Sequence, residues 1–207
     1  MKFTSLTQRF AVWFTLVSLL PILFIGNSLL HTFEAEIKKS AIQNVSAIAD
    51  KKAEQIDYYL QERLLDAYLA SGTSTTHEAI VKFSATFEQH GVDSDEYHQL
   101  DKTYRESYKR FLDNAKYYDL FLISTQGTIV YSQAHESDFA TNLQTGPYRN
   151  TGLGKVARHA LDNLESSISD FEYYEPSKGA IAAFVATPII IEGKIKGVLA
   201  LQIYSQL

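Results

Sequence analysis

The 207-residue chain contains no cysteine, which removes disulfide frameworks, thiolate nucleophiles and Cys-based zinc sites together. It has four prolines and a single tryptophan, Trp13. From His31 to Ser71 there is neither Gly nor Pro, so nothing there interrupts a helix. From Phe10 to Phe33 there is no Asp, Glu, Lys or Arg. Basic surplus is also missing: the two cations of residues 1–33, Lys2 and Arg9, offset a remainder of −7 to give a net charge of −5. A body that acidic lacks the basic face a nucleic-acid partner requires.

What is present begins with the apolar run "FAVWFTLVSLLPILFIGNSLL", Phe10 to Leu30. A helix rises ~1.5 Å per residue, so roughly 20 residues cross about 30 Å of hydrocarbon. Pro21 is tolerated in such a span. The run is longer than the apolar region of a cleaved signal peptide, and "IGNSLLHTF" is a poor cleavage site, which favours an uncleaved anchor. Lys2 and Arg9 precede it, so the positive-inside rule puts residues 1–9 in the cytoplasm and everything after about residue 31 outside the cytoplasmic membrane.

Residues 31–71 read as a long stalk helix, with Ile37, Ile42, Val45, Ala49, Ile56, Leu60 and Leu64 forming an apolar stripe. Such a stripe is covered either by the chain's own sheet or by a second copy in a homodimer. Residues 72–118 form a helical segment. The break "SGTSTT" (Ser71 to Thr76) leads to a helix at about His77–Gln89, and a second helix runs from about Asp95 to Tyr118. On the latter, Tyr97, Leu100, Tyr104, Tyr108, Phe111, Leu112 and Ala115 share one face and read as core.

From Asp119 to Leu207 the texture is β. A hairpin, Leu120–Ser124 and Thr128–Ser132, turns through Gln126-Gly127. A helix entered through Thr151 follows an acidic, Ser-rich loop. Three strands then complete a meander: "ISDFEYY", "AIAAFVATPIII" and "KIKGVLALQIY". The fold class expected is α+β: a membrane helix and stalk leading into a PAS-like sheet of five antiparallel strands with flanking helices.

No catalytic constellation is present, and an enzyme is not expected. "GLGK" (Gly152 to Lys155) fails as a phosphate loop, because Arg149 stands where the first Gly belongs and Val156 follows the Lys. His90, Asp93, Asp95 and His98 share a loop without the geometry of a metal site, so neither metal nor cofactor is expected.

The run "YYDLFLISTQGTIVYS…ESDFATNLQTGPYRNTGL", followed by "ISDFEYYEPSKGAIAAFVATPIIIEGKIKGVLALQI", resembles the extracytoplasmic Cache-type sensor domains of bacterial receptors. Those domains occur in chemoreceptors, histidine kinases and cyclic-di-nucleotide enzymes. The resemblance covers residues 31–207 and implies an anchor, a stalk and a membrane-distal module. Nothing after Leu207 supplies a second span or an output domain, so it also implies either a fragment of a longer receptor or a truncated product. By the same resemblance, the stretch from about His135 to Arg149 crosses the open face of the sheet and encloses a small-molecule ligand. Tyr131, Asp138, Tyr148, Arg149, Tyr173 and Phe184 are the candidate ligand-binding residues. Arg offers a fork for a carboxylate, Asp accepts from an ammonium, and the rings supply walls. Strand alternation lets only one of Tyr173 and Tyr174 face inward. With Trp13 in the apolar span, the full aromatic set of the amino-acid-binding members is not matched. The alternative is a ligand-free dimerisation module that senses through a partner protein.

Overall fold

A computed structural model describes residues 6–204. Helix α1 (Leu6–Ser71) is continuous through Pro21. Its apolar stretch is long enough to cross a membrane by length and composition, and none of that window is buried, unlike the core helix of a soluble protein. Contacts divide the chain into two compact units, the first ending at Asp57 and the second starting at Tyr58.

The second unit contains the last turns of α1, then α2 (Ser74–His90), α3 (Asp95–Ala115), β1 (Asp119–Ser124), β2 (Ile129–Ser132), α4 (Gly152–Asn163), β3 (Ser167–Ile168), β4 (Glu172–Tyr174), β5 (Ala180–Ile191) and β6 (Lys194–Tyr204). The expected break at residues 71–76 shrinks to Gly72 and Thr73. Thr73 Oγ1 accepts from the Thr76 N–H at 3.2 Å, capping α2 three residues earlier than the apolar pattern suggests. Ser94 caps α3 in the same way, and Lys116, at φ 62°, ends it short of Tyr118.

The sheet has six strands rather than five, in the order β2-β1-β6-β5-β3, with β4 also on β5, and all pairs are antiparallel. The extra strand arises because "ISDFEYY" is split. Ser167 and Ile168 pair with Ala186 and Val185, and Ser169 exchanges hydrogen bonds with Phe184 through its N–H (2.8 Å) and its Oγ (2.9 Å). Pairing resumes at Glu172 opposite Ala182, so Asp170 and Phe171 stand opposite Ala183 alone. This is a β-bulge, and it exchanges the faces of every residue after it.

Both faces of the sheet are covered, which is why β5 and β6 read as nearly unbroken apolar runs. One face carries Leu120, Leu122, Val130, Val185, Leu199 and Leu201. It packs beneath Ala67 of α1, Ile80 and Phe83 of α2, and the α3 stripe of Tyr97, Tyr104, Tyr108 and Leu112. The other carries Phe121, Ile123, Phe184, Ala186, Val198 and Ala200 beneath Leu153, Val156, Ala157 and Ala160 of α4. Of the α1 stripe expected from sequence, Leu64 packs on the core while Ile56 is exposed. Outside that stripe, Tyr58, Leu65 and Leu69 also lie exposed, on another side of the helix.

Candidate functional site

The segment from Gln133 to Thr151 spans the α4 face and is pinned at both ends. Asp119, fully buried at the start of β1, accepts from the N–H groups of Leu120 (2.7 Å), Gln133 (2.8 Å) and Ala134 (3.0 Å) and from Ser132 Oγ (2.7 Å). Burial pushes its carboxyl up to about 7, against the pull of those donors. Further along, Asn142 Nδ2 donates to Gln126 O at 2.8 Å, Leu143 N–H donates to Gly127 O at 2.7 Å, and Leu143 is buried on the α4 face. On the outer side, Arg105 grips Asp101 through two hydrogen bonds (2.7 and 2.8 Å) and also reaches Gln133 O (2.8 Å) and His135 Nε2 (2.9 Å). Arg donates to that nitrogen, so the His135 ring is neutral at Nε2, and burial together with Arg105 holds its pKa below the usual histidine value.

Between these anchors lies a polar cluster. Asp138 is fully buried; its Oδ2 accepts from Tyr174 Oη at 2.5 Å and its Oδ1 has no hydrogen-bond partner. Burial first, and then the charge of Glu136, push the Asp138 carboxyl up to about 6. The Tyr174 hydrogen bond opposes this, and the nearby N–H groups of Asp138 and Phe139 draw it down weakly without meeting hydrogen-bond geometry at Oδ1. Tyr174 itself is pushed well above the usual phenol value by burial and by Asp138. Its ring meets Phe184 edge-on, with centroids 4.7 Å apart, and lies 6.4 Å from Tyr148. Glu136 accepts from Tyr118 Oη (2.7 Å) and from Ser177 Oγ (2.6 Å), and Gln202 Nε2 donates to that same Ser177 oxygen (2.9 Å).

Of the six candidate residues, the structure brings Asp138, Tyr148 and Phe184 together and places three elsewhere. Tyr131 pairs with Leu122 and so shares its face. It is fully buried, with its ring 4.9 Å from Phe83 and 5.2 Å from Tyr108, on the α2–α3 side of the sheet. Arg149 lies exposed in a short 3-10 turn (Pro147–Asn150). The arginine that reaches under the segment is Arg158 of α4, which donates to Leu143 O (2.9 Å) and to Arg149 O. Tyr173 is 80% exposed, because the bulge at Asp170-Phe171 turns Tyr174 onto the α4 face instead.

Sequence reasoning missed Tyr174, Asp119, Glu136 and Gln202. Gln202 left a readable signal: it is the one polar residue in the apolar run "VLALQI". The loop that was weighed for metal leaves His90 at the end of α2 and His98 in α3, and no group of three or more His, Asp or Glu among the described residues is placed to hold a metal ion.

The glycines of "GLGK" have a packing role. A Cβ at Gly154 would stand 2.6 Å from the carbonyl oxygens of both Tyr148 and Arg149, and one at Gly152 would stand 2.8 Å from Ser169 Oγ. Glu172 accepts from the Gly152 N–H, so a carboxylate of the chain itself already occupies that helix end. A groove of about 560 Å³ between α2 and the β1–β2 hairpin, lined by Ile80, Ser84, Phe87, Thr128 and Lys196, lies on the α2 side, away from Asp138.

No protein-family profile and no curated protein sequence matches the chain. Among solved structures it is similar to the sensor domain of the Vibrio cholerae histidine kinase DctB, with a TM-score of 0.58 and 15% identity over 80% of this chain and 57% of that one. It is also similar to the sensor domain of Escherichia coli DcuS (TM-score 0.46, 16% identity, 72% of this chain and 90% of that one). A third is the ligand-binding domain of the Pseudomonas fluorescens chemoreceptor CtaA in complex with L-serine (TM-score 0.36, 13% identity, 73% and 60%). The chain thus spans little more than half the length of the DctB domain. The likeness to DctB establishes the fold, a PAS-like α+β fold that the chain shares with that sensor domain.

Proposed function

We propose that the chain is the sensing part of a bacterial transmembrane receptor, anchored in the inner membrane by residues 10–30 with its sheet unit on the periplasmic side. It takes a small molecule on the α4 face of the sheet, beneath the crossing segment. The observation that carries this reading is Asp138, wholly enclosed with one carboxylate oxygen unmet. A buried acceptor without a partner is costly in a structural core and is useful where a ligand supplies the donor. The DctB-like fold and the apolar stretch of α1 support the reading. It assigns no catalytic step and no cofactor to the chain.

The route for a signal lies in two adjacent tyrosines. Tyr118 Oη donates to Glu136 in the cluster, while Tyr117 Oη donates to Asp66 of α1 at 2.8 Å. Arg63 of α1 sits against the Tyr117 ring at 5.0 Å and donates to Ala115 O at 3.3 Å. A ligand that repositions Glu136 therefore shifts the β1 entry to which the end of α1 is tied, a population shift between two packings.

Hydrogen exchange on the full chain in detergent micelles tests this, with a ligand found by thermal-shift screening. Occupancy changes protection in residues 58–71 of α1, and Tyr118→Phe leaves binding intact while abolishing that change. Protection in α1 that ignores a verified ligand sinks the reading. A second reading, a dimerisation module, is favoured by the exposed Tyr58, Leu65 and Leu69.

A further inference from the structure

The cluster around Asp138 has a definite charge character, and it selects a class of ligand. Three carboxyl groups lie close enough to repel one another there, from two parts of the chain: Asp119 from β1, and Glu136 and Asp138 from the crossing segment. No Lys or Arg forms an ion pair with any of the three among the described residues; Arg105 is engaged on Asp101 and Arg158 on backbone carbonyls, and the side chains of Arg149 and Lys178 lie exposed. Asp119 has four donors and Glu136 has two. In this cluster the buried atoms left without any hydrogen-bond partner are both acceptors. Asp138 Oδ1 is one such atom and Gln202 Oε1 is the other, on residues 0% and 1% exposed.

Gln202 belongs to the same place by register. It stands opposite Asp119 on one side and Phe184 on the other, so all three side chains share the α4 face. Its amide also joins the cluster through Ser177 to Glu136. Gln202 is uncharged and lies on a different strand from the acids, so its unmet oxygen is an observation separate from the accumulation of carboxylates.

A group that satisfies two acceptors, offsets uncompensated negative charge and sits against aromatic rings is a protonated amine. It carries three N–H donors, no acceptor and one positive charge, and Tyr174, Phe184 and Tyr148 supply the ring surface a cation favours. An anionic ligand would meet the same carboxylates with nothing to pair it. A metal ion would find too few ligands, since no group of three or more His, Asp or Glu is placed to hold one among the described residues. Resting on the reading of the α4 face as the sensing site, we propose that the chain takes a small primary ammonium ion there, held by Asp138 Oδ1 and Gln202 Oε1. Because the cluster is enclosed, the ligand enters when the crossing segment lifts, and a compact amine fits better than a bulky one.

Thermal melting of the full chain in detergent micelles at constant ionic strength tests the assignment, with methylammonium, ethanolamine and putrescine as probes. Tetramethylammonium, succinate and calcium chloride complete the set. The expected result is a saturable rise in melting temperature with at least one primary amine and none with tetramethylammonium, which has no N–H. Asp138→Asn and, independently, Gln202→Leu each weaken the apparent affinity by about tenfold, the loss of one charge-assisted or buried hydrogen bond. If Asp138→Asn fails to fold, Gln202→Leu alone decides, because it leaves the carboxylates in place. A rise with succinate and not with the amines overturns the ammonium assignment while leaving the sensing site standing. A rise with calcium alone overturns it in favour of a metal. Amine binding that survives both substitutions overturns the residue assignment, and no rise with any compound overturns the ammonium proposal and the sensing site together.

Discussion

Asp138 is the residue at which stability and the proposed ligand binding would pull in opposite directions. A carboxyl held at about 6 in the folded chain, against about 3.8 in the unfolded one, binds its proton more tightly when folded. The fold is therefore favoured by that proton below about pH 4, and this contribution is lost as pH rises toward and past 6. At ~1.4 kcal/mol per unit, the ligand-free chain gives up at most about 3 kcal/mol above pH 7. Asp138→Asn keeps the shape and removes the charge, so the variant should melt higher than the parent at pH 8 and at the same temperature at pH 4 in the absence of ligand. Melting curves across that range check the sign; an Asn variant that is less stable at pH 8 would show that the carboxylate is satisfied in the fold. The acidic loop did mark Asp138 in the sequence as a candidate. Its partner Tyr174 could not be chosen over Tyr173, because period-two alternation does not reveal a bulge two residues upstream. Tyr131 was misplaced for a related reason. Its face depends on the register of the hairpin, which shifts between Leu122 and Ile123, and composition carries no record of that shift.

Helix α4 shows how an element's sequence is shaped by what it must approach. Glycine inside a first turn weakens a helix by ~1 kcal/mol relative to Ala, yet Gly152 and Gly154 both stand there. The reason is the close passage of the 3-10 turn: the Tyr148 and Arg149 carbonyls leave no room for a methyl group at Gly154. Gly154→Ala should therefore destabilise by about 1–3 kcal/mol despite the better helix propensity. The affected backbone belongs to the crossing segment, so the same variant should raise hydrogen exchange at residues 143–150 more than in β5 or β6. A stabilised Ala variant would mean that the turn can move away freely. Helix existence and the Thr151 cap were legible from the sequence, as were the hairpin turn at Gly127 and the long strands β5 and β6. The early start of α2 and the splitting of "ISDFEYY" were not, since each involves a hydroxyl oxygen accepting from a backbone N–H, Thr73 Oγ1 from Thr76 and Ser169 Oγ from Phe184.

At the scale of the whole molecule, the question is what covers the apolar surface that α1 leaves exposed. The sheet unit shields only part of the helix surface: Ala67 is buried and Leu64 packs on the core, whereas Tyr58, Leu65 and Leu69 are 67%, 54% and 58% exposed. These three recur at spacings of seven and four, so at 3.6 residues per turn they form one line. An apolar line of that kind on a surface helix would suit the seam of a coiled coil, as the second reading proposes. On the proposed reading, a second copy of the chain, held parallel in a shared membrane, would cover it without requiring another partner. The absence of cysteine makes the test clean, because any disulfide must come from the introduced thiol. Leu65→Cys in membranes should cross-link to a dimer under mild oxidation, with Tyr58→Cys and Leu69→Cys doing the same. Ile56→Cys, about 200° around the helix from Tyr58 at 100° per residue, should not. Equal cross-linking at all four positions would indicate random collision, and none at any would leave the line to a different partner. If the dimer forms and the amine changes the cross-linking rate at Leu65 but not in Tyr118→Phe, then the tie from Glu136 through Tyr118 and Tyr117 to Asp66 carries occupancy of the site into the helix pair.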